Sequence, residues 1–300
     1  MLALTILGNN SAIPAFGRHP TAQLLQNHEQ SFLIDCGEGT QMQMDTYRIR
    51  KSKIDHIFIS HLHGDHYFGL IGLLTSMALM GRKQQIHLYA PAALKSIIDL
   101  QLHVADSQLS YELAFHPLLD EGMIMQDKKL SVECFKVHHR IECWGFLFCE
   151  KKNLRKILPD EVRKYNIPQS YFELLQKGED YLSTADVVIP NELLTIAGTP
   201  PKSYAYCADT LYDENLATKL KGVDVIYHES TYLHALQQRA NARFHSTSKE
   251  AAMIAVKSGA KKLLLGHFSS MYESLDDFQE EACSIFEQTE LALEGRCYLI

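Results

Sequence analysis

The stretch Ile54-Asp55-His56-Ile57-Phe58-Ile59-Ser60-His61-Leu62-His63-Gly64-Asp65-His66 decides how this chain is read. Its first half is apolar and β-branched, which predicts a strand over 54–60. Side chains alternate along a strand, so His61 and His63 fall on the same side. Gly64 then permits a sharp turn that brings Asp65 and His66 back to that side. Imidazole nitrogens and carboxylate oxygens are ordinary zinc ligands. Four of them packed between His61 and His66 predict one end of a metal site, not a merely polar loop.

Outward from this stretch, further strands are predicted at 2–7, 31–35, 86–89, 131–137, 144–149, 204–207, 223–227 and 262–265. Helical patterns cover 40–47, 67–80, 92–102, 232–240, 247–258 and 275–288. Thr247 followed by Glu250 has the form of a capping box. This alternation predicts an α/β chain, with sheets and helices packed outside them. Met77, Leu79 and Met80 read as core, and Trp144 as core or a dimer contact. Residues 150–201 differ: they are charged, contain Pro159, Pro168, Pro190, Pro200 and Pro201, and lack a long strand. They read as an inserted appendage.

Composition narrows the function. With 300 residues, 46% of them hydrophobic, the chain can bury a large core. It carries 29 basic against 36 acidic residues, a net charge of −7, the opposite of a simple basic nucleic-acid binder. Contacts to RNA would need local patches. The seven cysteines are scattered and form no CxxC pair, which argues against a disulfide framework and for a reducing compartment. No signal-peptide pattern opens the sequence and no apolar run has membrane-spanning length, so a soluble, cytoplasmic protein with no membrane partner is expected.

The motif His61-Leu62-His63-Gly64-Asp65-His66-Tyr67-Phe68-Gly69-Leu70 resembles ribonuclease Z of the metallo-β-lactamase superfamily. So do Asp35-Cys36-Gly37-Glu38-Gly39-Thr40-Gln41 upstream, and Cys207-Ala208-Asp209-Thr210, His228-Glu229-Ser230-Thr231, His245-Ser246-Thr247 and Gly266-His267-Phe268-Ser269-Ser270 downstream. The resemblance implies a metallo-β-lactamase-type αββα sandwich with an inserted arm. It also implies two Zn2+ per subunit, in a ligand set that Mn2+ or Fe2+ would accept too. One ion would take His61, His63 and His139, the other Asp65, His66 and His267, with Asp209 between them. Strand alternation alone leaves His138 and His139 both open; the resemblance implies His139.

The implied activity removes the 3′ trailer of precursor tRNA, leaving a 3′-hydroxyl on the tRNA and a 5′-phosphate on the trailer. Two metals suit such a hydrolysis because they activate water and neutralise phosphoryl charge. Asp65 would be both ligand and proton acceptor, and His245, oriented by Glu229, would protonate the leaving 3′-oxygen. Ser269, Ser270 and Arg18 are expected to contact substrate, although Met271 stands where the family often has arginine. Lys151, Lys152, Arg155 and Lys156, followed by Arg163 and Lys164, open the arm that would grip tRNA. Its tip lacks the usual glycines, and 173–192 is acidic. Homodimers are expected from the same resemblance. The metal set alone also permits another two-zinc hydrolase of this fold, acting on a small phosphodiester or a thioester.

Overall fold

The computed structural model describes residues 2–184 and 186–300. It divides into a larger unit, made of residues up to 126, 131–149 and 202–300, and a smaller one, made of 127–130 and 150–201.

The larger unit holds two seven-stranded sheets. The first runs in the order Cys297–Leu299, Leu2–Gly8, Ala22–Asn27, Gln30–Ile34, Ile54–Phe58, Ile86–Pro91, Leu113–Leu118. The second runs Thr289–Leu291, Lys262–Gly266, Val225–Glu229, Ser203–Cys207, Trp144–Glu150, Leu130–Lys136, Gly122–Gln126. Both are mixed: Gln30–Ile34 through Leu113–Leu118 pair in parallel, as do Ser203–Cys207 through Thr289–Leu291.

Strand alternation sorts the side chains into layers. In Ile54–Phe58, Ile57 joins Leu33, Leu88 and the helices Leu70–Leu79 and Ala93–Val104 in one apolar layer. Phe58 points the other way, with ring centroids 5.3 Å from both Phe146 and Phe148 of the second sheet. On the far side of that sheet, Ile226, Leu263 and Leu265 pack against Ile254, Ala255 and Phe278 of the helices Ser248–Ser258 and Asp276–Cys283. The layers are therefore helix, sheet, sheet, helix, as expected. The capping box is formed in full: the Thr247 side chain accepts from the Glu250 N–H, and the Glu250 carboxylate accepts from the Thr247 N–H.

Several local expectations differ. The helix expected over 232–240 is observed as a 3-10 turn, His234–Leu236, followed by the helix Gln237–Ala242, and the one expected over 275–288 ends at Cys283. The strand predicted over 54–60 ends at Phe58. The helix predicted over 67–80 is two helices, Gly64–Tyr67 and Leu70–Leu79. Gly69 lies between them, and a Cβ there would come within 2.2 Å of the Gly37 carbonyl oxygen. Met77 and Trp144 are buried, but Leu79 and Met80 are 88% and 63% exposed, because the helix ends there and its last turn leaves the sheet. The strands Leu113–Leu118 and Gly122–Gln126 went unread because each edges a sheet and is only half buried, which blurs the alternation.

The smaller unit is built of short helices and two two-stranded ladders around Val162, Ile167, Leu175, Ile189 and Leu194. It carries nine basic and nine acidic residues, so it is electrically neutral as a whole. Among the described residues no helix is long and apolar enough to cross a membrane.

Removing a ring from the sheet–sheet layer leaves a cavity that rigid neighbours cannot fill. Phe58→Ala is expected to lower unfolding free energy by about 3–5 kcal/mol, whereas Leu79→Ser changes it by about 0.5 kcal/mol at most. Urea titrations of the two variants check the contrast.

Candidate metal centre

The ligand candidates leave the carboxyl ends of strands in both sheets, the general location of sites in open α/β sheets. His61 and His63 lie in an extended segment beyond Phe58, not on the strand itself. Asp65 and His66 return on the one-turn helix Gly64–Tyr67. Gly64 is not in a left-handed conformation; a Cβ there would meet the exposed Phe68 ring at 2.2 Å, a contact that ring can relieve by turning outward. His139 follows Leu130–Lys136, Asp209 follows Ser203–Cys207, and His267 follows Lys262–Gly266 with a left-handed φ of 60°.

All seven come together. His63 Nδ1 lies 3.0 Å from His61 Nε2 and 3.2 Å from His139 Nε2. Asp209 Oδ2 is 3.6 Å from His61 Nε2 and 3.7 Å from His139 Nε2. A second group forms beside the first: His267 Nε2 is 3.3 Å from both His66 Nε2 and Asp65 Oδ2. Asp209 Oδ1 faces this group, 3.2 Å from His267 Nε2 and 3.4 Å from His66 Nε2. It is buried and accepts no hydrogen bond. Ring nitrogens crowded this closely, around a buried carboxylate oxygen with no donor, suit divalent metal. His138, the competing candidate, is exposed and joins neither group; its backbone N–H donates to Thr210 Oγ1, its carbonyl accepts from the Leu211 N–H, and its ring lies 6.0 Å from that of Phe244.

The ring nitrogens pointing away from the clusters are held too. His61 Nδ1 meets Ser60 Oγ at 3.0 Å, His66 Nδ1 meets Asp35 Oδ2 at 2.7 Å, His139 Nδ1 meets the Phe244 carbonyl at 2.8 Å, and His267 Nδ1 meets Thr231 Oγ1 at 3.0 Å. Such partners fix ring orientation and tautomer. Burial pushes His61 and His139 below the ordinary histidine range and His63 down to about 4, so these rings keep a lone pair at neutral pH. His66 is the exception. Burial lowers it, but Asp209, Asp65 and Asp35 outweigh that and raise it.

Beside the clusters, His245 Nδ1 lies 2.9 Å from Glu229 Oε1. Glu229 is fully buried, and the same carboxylate accepts from the N–H groups of Thr210, Thr231 and Ser246. Burial would raise its pKa, yet His245 brings it below the ordinary value. Burial opposes the His245 imidazolium, but Glu229 more than offsets this and raises it to about 9. The ring lines a cleft of about 890 Å³ that also exposes His63, Asp65, Ser269 and Ser270.

The other predicted contacts divide. Arg18 does not line the cleft; its guanidinium donates to Asn10 Oδ1 at 3.0 Å, to the Glu273 carbonyl at 2.9 Å and to the Tyr272 carbonyl. It therefore holds the loop after Ser269 and Ser270. Lys151, Lys152, Arg155 and Lys156 belong to the smaller unit, where Arg155 Nε donates to Thr195 Oγ1. Arg163 and Lys164 are paired with Asp160 and Glu161.

Sequence reading gave no role to Asp35, Thr231, Arg140, Arg239 or Arg243. Asp35, a charge ending the apolar run Phe32-Leu33-Ile34, was a readable signal. Arg239 and Arg243, four apart just before His245, were another.

Residues 2–156 match the family model described as Anti-Pycsar protein Apyc1. Ribonuclease Z of Bacteroides fragilis is 38% identical over 296 residues, spanning 98% of this chain and 97% of the relative. The crystal structure of human tRNase Z, short form, superimposes with a TM-score of 0.74 and 25% identity over 99% of each chain. The metallo-β-lactamase fold protein YhfI from Bacillus subtilis does so with a TM-score of 0.70 and 17% identity over 100% of each chain, a likeness of fold.

Asp35→Asn keeps the shape of the side chain but removes the charge behind His66. Metal affinity should fall about 10–100-fold, measured by competition with a chelator, while circular dichroism stays that of the parent. Unchanged affinity would remove Asp35 from the centre.

Proposed function

The chain belongs to the ribonuclease Z family, and its residues 2–156 also to the family described as Anti-Pycsar protein Apyc1; on that premise we propose how its cleft processes the 3′ end of precursor tRNA. The protein is a tRNA 3′-processing endoribonuclease of the metallo-β-lactamase fold. The bond hydrolysed joins the last retained nucleotide to the trailer, leaving a 3′-hydroxyl and a 5′-phosphate.

The observation that carries this reading is the Glu229–His245 pair beside two ligand groups in one cleft. His61, His63 and His139 would hold one zinc ion and Asp65, His66 and His267 the other, with Asp209 available to either group. Such divalent cations would supply a more acidic water and neutralise phosphoryl charge. Asp65, whose Oδ2 is oriented by the Ala12 N–H at 2.7 Å, takes the proton of the attacking water. His245 already has Nδ1 engaged with Glu229, so Nε2 serves the cleft. Raised to about 9, His245 is protonated at neutral pH and gives that proton to the leaving 3′-oxygen. Ser269 and Ser270 offer hydroxyls to the phosphoryl group.

Lys151, Lys152 and Lys156 are the cations through which the smaller unit grips tRNA, since Arg163 and Lys164 are neutralised locally. Two copies form a homodimer, for which exposed Leu79, Met80, Leu100 and Val104 offer apolar surface. The cytoplasm is the expected compartment, consistent with seven free cysteines.

The test is incubation with precursor tRNA carrying a 3′ trailer, with the cut mapped to the nucleotide, beside bis(p-nitrophenyl) phosphate and a thioester. A cut after the discriminator base is expected; thioester turnover without tRNA cleavage would sink the reading. His245→Ala should retain metal and lose at least about 100-fold in kcat. Because kcat needs protonated His245, it falls as pH rises through that group's pKa. Glu229→Gln removes the charge that raises the pKa, so the alkaline limb moves down by about 1–3 pH units.

A further inference from the structure

The cleft is lined by two sets of segments. One carries 11–14 and 269–271, joined where Asn10 and Ser11 pair in parallel with Phe268 and Ser269. The other carries His139, Arg140, Arg239, Arg243 and His245, joined through the His139 contact to the Phe244 carbonyl. All three arginines of the cleft belong to the second set. The rest of the lining offers hydroxyls, apolar groups, the His63 ring and the carboxylates of Glu38, Asp65 and Asp209, but no lysine or arginine.

None of these three guanidinium groups meets a carboxylate among the described residues, while Arg82, Arg163 and Arg296 pair with Asp55, Asp160 and Glu290. Like charges gathered on one side of a cleft repel one another and gain when an anion enters. Arg239 and Arg243 are four residues apart along Gln237–Ala242 and its cap, so they share a face, with Cβ atoms about 5–6 Å apart. Arg239 is steadied over the Tyr232 ring, 5.7 Å from its centroid. Arg140 Nη2 lies 3.2 Å from His63 Nε2. The Arg140 guanidinium thus lies beside the His63 ring among the groups that line the cleft.

The chemistry gives this wall a direction. Hydrolysis breaks the P–O3′ bond. The 3′-oxygen takes its proton from His245 and stays on the tRNA, while the phosphorus keeps the water oxygen and leaves with the trailer. Arg243 is two residues before His245 and Arg239 one helical turn further back. We propose, resting on the ribonuclease reading above, that Arg239 and Arg243, with Arg140, bind backbone phosphates of the retained tRNA strand on the 5′ side of the scissile bond. The trailer crosses the wall without cations.

The test uses zinc-loaded protein and two RNAs: mature tRNA ending at the discriminator base, and the free 5′-phosphorylated trailer oligonucleotide. Affinities are measured across a salt series, with metal content checked for each variant. Arg239→Gln/Arg243→Gln should weaken mature-tRNA binding by at least about tenfold. The slope of log affinity against log salt should shrink by about 0.7–0.9 per lost contact. Trailer binding should keep its parent value, and Arg239→Lys/Arg243→Lys should recover the slope, since a point charge suffices for counterion release. Equal losses on both RNAs, or a loss confined to the trailer, would overturn the assignment. If the parent cuts precursor tRNA and the Gln variant binds mature tRNA as the parent does, the assignment falls and the ribonuclease reading stands. A parent that cuts no precursor tRNA sinks both.

Discussion

The carboxylate of Asp35 is the constraint on which the site and the sandwich both depend. It is fully buried at the end of Gln30–Ile34 and accepts from the Ser60 N–H at 2.7 Å, Ser60 Oγ at 2.8 Å, His66 Nδ1 at 2.7 Å and Tyr206 OH at 2.6 Å. Ser60 belongs to the first sheet's ligand loop and Tyr206 to the second sheet. One side chain thus ties the two sheets together and orients a ligand imidazole. A buried carboxylate is costly unless its lone pairs are filled, and four donors fill them. Its φ of 55° is unusual for a residue with a Cβ, as is that of His267 at 60°. These are two of ten non-glycine residues with positive φ among the described residues, and both lie where the chain leaves a strand and turns back into the site.

The remaining ligands repeat this logic with weaker partners. Ser60, Thr231 and the Phe244 carbonyl each hold one imidazole from behind. Thr231 also donates to Glu229, and Glu229 holds His245. The hydrogen-bond network behind the candidate ligands and the one behind His245, the proposed proton donor, are therefore continuous. Displacing Thr231 would move a ligand and an acid together, so the geometry of binding and of proton delivery is set by the same few buried bonds.

What could be read in advance follows from how local each signal is. His61, His63, Asp65 and His66 were legible because four donors share six positions, and the Thr247 box because a cap is set by neighbours. The layered fold was legible from the spacing of apolar runs. The means of positioning were not: His61 and His63 lie past the strand end, and Asp65 and His66 return on a one-turn helix instead of a glycine turn. Asp35 and Tyr206 are 171 positions apart, and no periodicity reports that contact. Arg18 was read as a substrate contact because its charge was visible and its three acceptors at 10, 272 and 273 were not. Within the arm, the pairing of Arg163 and Lys164 with Asp160 and Glu161 was equally invisible to periodicity, and it leaves Lys151, Lys152 and Lys156 as the cations proposed to meet RNA.

That cancellation bears on how an acidic chain binds a polyanion. The net charge is −7, the smaller unit is neutral, and the floor of the cleft holds Asp65 and Asp209 with Asp35 and Glu229 behind them. A phosphate approaching that floor alone would be repelled. Divalent cations held there would reverse the local sign, with charges larger than any side chain can supply. On the proposed reading, nucleic-acid affinity follows metal loading, because the groups that would hold the metal are the ones that would otherwise reject the substrate. On the proposed reading, fixed cations are needed only where the strand must be given a direction, and one wall with three arginines that meet no carboxylate among the described residues does that without making the whole surface basic.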